Sequence, residues 1–152
     1  MIVRIFKGVW FLSLLATGAV LLYIYASLPE DIQIREGDMF QFVSRSGLFY
    51  SALALLVAFN AAAFAFSKLL FGKNEIFMVW LYGLVMFLHF FVIVALQYLN
   101  LYNSQEKFNF QSIGFIIYGS IAMVVLWSSL WPAYFLFQRF IGKGAATNGT
   151  PS

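Results

Sequence analysis

Apolar residues run almost unbroken through four stretches of the chain, roughly 5–28, 47–71, 76–103 and 112–140. Polar residues collect in the intervals between them. A helix that crosses a hydrocarbon core of about 30 Å needs about 20 mostly apolar residues. Each stretch reaches that length, so the pattern predicts four membrane-spanning helices. A helix on the surface of a soluble bundle carries instead a polar face that recurs every three to four residues. No such face interrupts the run from Ser51 to Phe66, whose only strongly polar member is Asn60. The predicted fold is an all-α, integral membrane four-helix bundle over residues 1–141. A disordered cytoplasmic tail is expected over 142–152.

The intervals fit this division. Ser27-Leu28-Pro29 closes the first stretch, because proline cannot continue a helix and pushes its predecessor out of the α region. The outer loop, about 29–46, alternates charge (Glu30, Asp31, Arg35, Glu36, Asp38) and carries a Gly37-Asp38 turn signal. Ser44 or Ser46 is placed to cap the second helix. Gly72-Lys73-Asn74-Glu75 is short enough to force an antiparallel pair. A polar outer loop, about 103–109, joins the last two helices. Pro132 falls inside the fourth helix, where a kink is expected.

Composition strengthens the membrane reading. The chain is 62% hydrophobic and 10% charged, where soluble domains carry about 25% charged residues. Charge then orients it. With the N-terminus in the cytoplasm, Arg4, Lys7, Lys68, Lys73, Arg139 and Lys143 lie inside, and Arg35, Arg45 and Lys107 lie outside. Basic residues favour the inner side, so the expected topology is N-in, C-in. The same residues read as topology signals and not as a nucleic-acid patch, since no basic run occurs. Arg4 and Lys7 followed by an apolar run resemble a signal peptide, but the run is about 20 residues, beyond the 7–15 of a signal core. It is therefore read as an uncleaved first helix. The Asn148-Gly149-Thr150 glycosylation pattern falls in the cytoplasmic tail and is taken as chance.

Six identities recur at an offset of 68 residues: Phe40, Phe42, Ser44, Tyr50, Ala54 and Val57 match Phe108, Phe110, Ser112, Tyr118, Ala122 and Val125. They suggest a 2+2 internal repeat, an arrangement found in membrane transporters. Trp10, Trp80, Trp127 and Trp131 lie toward the cytoplasmic half, and most tyrosines toward the outer half. Amphipathic rings favour the headgroup level, so they read as anchors.

Candidate chemistry is sparse. Asn60 and His89 lie about 11 and 13 residues from the inner ends of their helices. At 1.5 Å per residue both sit roughly 17–20 Å up, near the midplane. A direct or water-bridged Asn60–His89 hydrogen bond is expected. It serves either as interhelical glue or as a binding or proton site, because ionisable residues inside spans mark function. Ser51, Ala54, Ala58, Ala61 and Ala65, at steps of three and four, form a helix-packing seam of small residues. The seam faces either another helix of this chain or a partner. Ser13, Thr17, Ser120, Ser128 and Ser129 are expected to bond their own helix backbones. With no cysteine and one histidine, thiolate chemistry is excluded, and neither a zinc set nor a bis-histidine haem can form within one chain. No metal and no cofactor is expected. No nucleophile elbow, phosphate loop or carboxylate pair occurs, so no enzyme activity is expected.

Leu28-Pro29-Glu30-Asp31-Ile32 with Gly37-Asp38 resembles the segment after the first helix of bacterial immunity-type membrane proteins. That pattern continues into a His-Phe pair, where Ile34-Arg35 stands here, and no function is carried across. The function expected is a non-enzymatic subunit or accessory protein of a membrane complex. The alternative is a small transporter or proton-coupled sensor using Asn60 and His89. The partners expected are the lipid bilayer and other membrane proteins or a second copy, in a bacterial inner membrane.

Overall fold

A computed structural model of the chain describes residues 1–35, 41–70, 74–104 and 110–146. In chain order these form α1 (Ile2–Ser27), β1 (Asp31–Arg35), β2 (Gln41–Ser44), α2 (Arg45–Ala65), α3 (Glu75–Tyr102) and α4 (Phe110–Ala146). A π-helical turn, Phe66–Leu70, continues α2. Four helices are long and apolar enough to cross a membrane, through Ile2–Ser27, Arg45–Leu69, Glu75–Tyr102 and Gly114–Arg139. The Gly37-Asp38 turn signal, residues 71–73, the loop 105–109 and the tail 147–152 lie outside the described residues.

Helix ends follow local chemistry. Leu28 is extended (φ −77°, ψ 146°) ahead of Pro29, which stops α1. Ser44 caps α2, its hydroxyl accepting from the Gly47 N–H at 3.1 Å. Asn74 caps α3 by accepting from the Phe77 N–H at 3.0 Å. Glu75 follows in the first turn, where the helix dipole favours an acid.

Two features depart from expectation. The outer loop is not irregular: β1 and β2 pair antiparallel, with Ile32 opposite Val43 and an irregularity between Gln33 and Arg35. The sequence holds a short signal for it, since Ile32 and Ile34, and Phe40 and Phe42, alternate with polar residues at the period of two that marks strands, among charges that read as a loop. α4 also continues to Ala146, so residues 142–146 are helical where a tail was expected from 142. The segment is small and polar, yet Lys143, Ala145 and Ala146 are good helix formers that can carry the helix on. At 37 residues α4 is about 55 Å long at 1.5 Å per residue, well beyond a 30 Å core.

α3 is the hub. It packs along α1 and α4 and touches α2, while α1 and α2 meet only lightly. Two apolar clusters stack along it. One, at the hairpin end, joins Leu21, Ile24 and Leu28 of α1, Ile32 of β1, Ala52 of α2 and Leu96 of α3. The other, toward the opposite end, joins Ala63 with Phe77, Leu81 and Val85, flanked by Trp10, Phe59, Trp80 and Trp131. Ile32 is fully buried, so the hairpin plugs the end of the bundle where α1 ends and α2 begins. Asn103, just past the end of α3, holds it there. Its amide oxygen accepts from the Gln33 N–H at 2.8 Å and its amide nitrogen donates to the Gln33 carbonyl at 3.1 Å. Arg45 adds a bond to the Leu28 carbonyl (3.1 Å) and lies 5.1 Å from the centre of the Tyr25 ring.

The α3–α4 contact has its own device. Trp80 and Trp127 each donate their indole N–H to the other's backbone carbonyl, both at 2.9 Å. Gly83 makes room for the second indole, since a Cβ there would lie 2.4 Å from its ring. Trp10, Trp80 and Trp127 thus give their N–H groups to protein acceptors, which leaves none of the three N–H groups for a lipid headgroup.

Candidate functional site

Between the apolar clusters lies one polar layer, contributed by three helices. α1 supplies Trp10, Ser13 and Thr17, α2 supplies Asn60, and α3 supplies His89. His89 falls half-way along its 28-residue helix and is fully buried, as is Thr17. Asn60 and His89 are brought together, with Asn60 Nδ2 3.0 Å from His89 Nε2.

Each bond in the layer has only one workable direction. An indole N–H can only donate, so Trp10 Nε1 gives its proton to Asn60 Oδ1 at 2.9 Å. That turns the Asn60 amide nitrogen the other way. Its two protons go to the Leu56 carbonyl at 2.7 Å and to His89 Nε2. Nε2 must then be the unprotonated acceptor, and the ring proton sits on Nδ1. Nδ1–H points at Ser13 Oγ, 2.8 Å away. The Ser13 hydroxyl passes its own proton to the Trp10 carbonyl at 2.7 Å. The bonds run from Trp10 to Asn60, His89, Ser13 and back to Trp10. Thr17 Oγ1 completes the layer by donating to the Ser13 carbonyl at 2.7 Å. Among the described residues no buried side-chain polar atom lacks a partner.

This arrangement is chemically complete. The network selects a neutral imidazole in one tautomer, since the tautomer of a histidine follows from what its two nitrogens face. Neither ring nitrogen has a free lone pair aimed at a metal or haem iron. No group of three potential metal ligands converges among the described residues. The layer stitches three helices that share few other polar contacts, each bond across a span contributing about 0.6–2 kcal/mol.

The small-residue seam lies elsewhere. Ser51, Ala54, Ala58 and Ala61 are exposed and Ala65 is half-buried, whereas Ala52, Leu56 and Ala63 carry the inward face of α2. At 100° per residue the two sets fall on opposite sides of the helix. The seam therefore does not face another helix of this chain, because the opposite face of α2 packs inward instead. The serines of α4 bond their own backbone: Ser120 to Ile117, and Ser128 and Ser129 to Val125.

Trp10 and Ser13 were not singled out with Asn60 and His89. A signal was present, since both are polar-tipped residues one turn apart on one face of helix 1. Nothing in sequence placed that face against helix 3 at the depth of His89. Comparison of the chain with protein-family models, curated proteins and solved structures finds no match.

Proposed function

We propose that this chain is an integral protein of a bacterial cytoplasmic membrane, with both termini inside, that works as a non-enzymatic subunit or accessory protein of a membrane complex. The observation that carries the reading is the closed hydrogen-bond ring around His89. Every polar group at the centre of the bundle is already used by another, so the layer serves packing and offers nothing to a substrate. The outward small-residue face of α2 adds support, because small residues let a neighbouring helix approach closely. The distribution of lysine and arginine supports the orientation. Compactness and short connections support a bacterial source. The 2+2 repeat rests on the 68-residue identities alone. Against a symmetric repeat stands the unequal packing of the halves, since α3 and α4 run along each other and α1 and α2 meet far less.

The test is purification of the tagged protein in mild detergent, with its companions identified by mass spectrometry. Stoichiometric membrane partners are expected. A lone monomeric particle would overturn the reading. The second reading, a transporter or proton-coupled sensor, takes its support from the Asn60–His89 contact and requires a water path to a residue that is fully buried. It predicts that His89→Ala abolishes a pH-dependent phenotype at normal expression, and an unchanged phenotype would remove it.

A further inference from the structure

Asn60 ties α2 to the bundle in mid-span. Among the described residues, side chains of α2 reach α1 and α3 by hydrogen bonds at two places only, Arg45 at its start and Asn60. α2 also packs far less on α1 and α3 than those two pack on each other.

The bonds at Asn60 suit one charge state of His89. With the ring neutral, Nε2 accepts from the Asn60 amide. A second ring proton makes both nitrogens donors. Nδ1–H still meets Ser13 Oγ, so α1 and α3 stay joined. Nε2–H, however, faces the Asn60 N–H, donor against donor. Turning the amide over gives Nε2–H an acceptor, but it sets Nδ2 against the Trp10 N–H and Oδ1 against the Leu56 carbonyl, where bonds of 2.9 and 2.7 Å stood. No orientation of the amide satisfies the charged ring. One water does, because its oxygen accepts from both groups, and its entry parts Asn60 from His89 by about 2–3 Å.

No counter-charge competes with that water. The side chains of α1 and α2 in the layer, Trp10, Ser13, Thr17 and Asn60, do not ionise. Before Tyr134, α4 carries one ionisable residue, Tyr118, which is 74% exposed and faces out of the bundle. On α3 the nearest are Tyr82, about 10 Å along the helix with Lys7 5.6 Å from its ring centre, and Tyr98, about 13 Å the other way. The one acid in the four helices, Glu75, begins α3, about 21 Å from His89.

We propose that the polar layer is a proton-operated latch on α2: charging His89 breaks the Asn60 tie, admits water and frees the middle of α2, while the α1–α3 pair holds. Arg45 serves as the pivot, since its bonds go to the backbone carbonyls of Leu28 and Glu30, which no proton disturbs. The latch rests on the second reading above for a route by which the proton arrives, and adds the element that moves.

The test uses the full chain in lipid nanodiscs. The chain has no cysteine, so Ile5→Cys and Leu69→Cys, both at exposed positions, carry the only two nitroxide labels. Their separation is read by pulsed electron resonance from about pH 8 to about pH 4, either side of the ordinary imidazole value of about 6.5, and the imidazole ¹⁵N spectrum reports the proton. The distance should lengthen by about 2–3 Å as His89 charges. His89→Gln, which offers an amide acceptor and donor but cannot charge, should keep the short distance throughout. Asn60→Asp gives the charged ring an acceptor and should hold α2 in place at low pH; should it fail to fold, His89→Gln carries the comparison. Protonation without movement, or movement that persists in His89→Gln, would overturn the latch alone. An imidazole still neutral at about pH 4 would overturn both the latch and the proton-coupled reading beneath it.

Discussion

Gly83→Ala tests how α4 is held. Its added methyl would lie 2.4 Å from Cζ2 of Trp127, 2.6 Å from Cε2 and 2.7 Å from Nε1. Carbon atoms in contact prefer about 3.5–4.0 Å, so indole and methyl must separate by about 1.1–1.6 Å. The indole cannot swing aside freely, because its N–H is bonded to the Trp80 carbonyl and its own carbonyl receives the Trp80 N–H. Overpacking of this size costs about 1–3 kcal/mol. Losing both interhelical bonds adds roughly 0.6 kcal/mol each. The better helix propensity of alanine returns about 1 kcal/mol, which leaves a net loss of about 1–3 kcal/mol. Unfolding by SDS titration in mixed micelles reads this loss, and tryptophan emission from the displaced pair should shift with it. Gly18→Ala and Gly119→Ala are controls, since no atom lies within 4 Å of a Cβ at either position, and both should be neutral or stabilising. In a Trp127→Leu background the indole is gone and Gly83→Ala should cost nothing further. A Gly83→Ala protein as stable as wild type, or a penalty that survives Trp127→Leu, would refute the reasoning.

The remaining predictions concern the polar layer and the outer cap. The chain has one histidine, so its imidazole ¹⁵N spectrum is unambiguous: Nδ1 should be protonated and Nε2 bare at neutral pH, and the opposite tautomer would break the derived ring. His89→Ala should cost about 1–3 kcal/mol by leaving the Asn60 amide and Ser13 hydroxyl short of partners, read from the same SDS titration; an unchanged midpoint would show that the layer contributes nothing. Ile32→Ala should cost about 2–5 kcal/mol, as expected for a fully buried side chain, and a loss below about 0.5 kcal/mol would mean that the hairpin does not plug the bundle. Asn103→Ala should leave the helices intact yet speed exchange of the Gln33 amide about tenfold, the effect of losing roughly 1.4 kcal/mol of local bonding; an unchanged exchange rate would place the restraint elsewhere.

The spans were legible because hydrophobic length is a one-dimensional signal. Each of the four stretches became a helix, with ends displaced by a few residues where capping decided the boundary. Asn60 and His89 stood out for a related reason, as polar residues in runs that otherwise exclude them, and counting residues from the helix ends put them at one depth. Counting says nothing about rotation. Which face of helix 1 meets helix 3 depends on packing of all the spans, so Trp10 and Ser13 could not be joined to the pair. The seam on α2 met the same limit, because steps of three and four identify a face without naming what it faces. The hairpin was legible only in part: Ile32 and Ile34, and Phe40 and Phe42, alternate with polar residues as strands do, but the seating of Ile32 among Leu21, Ile24 and Leu96 joins residues far apart in sequence.

Asn103 takes the place of a third strand, offering one amide to both backbone groups of Gln33. It arrives late. The hairpin is synthesised between the first two helices, some seventy residues before the side chain that fastens it. Until α3 has crossed, Gln33 faces water and Ile32 lacks Leu96. This end of the molecule therefore closes only after the third helix is in place, and a chain halted after α2 would leave Ile32 and Gln33 without the α3 partners that the finished protein gives them.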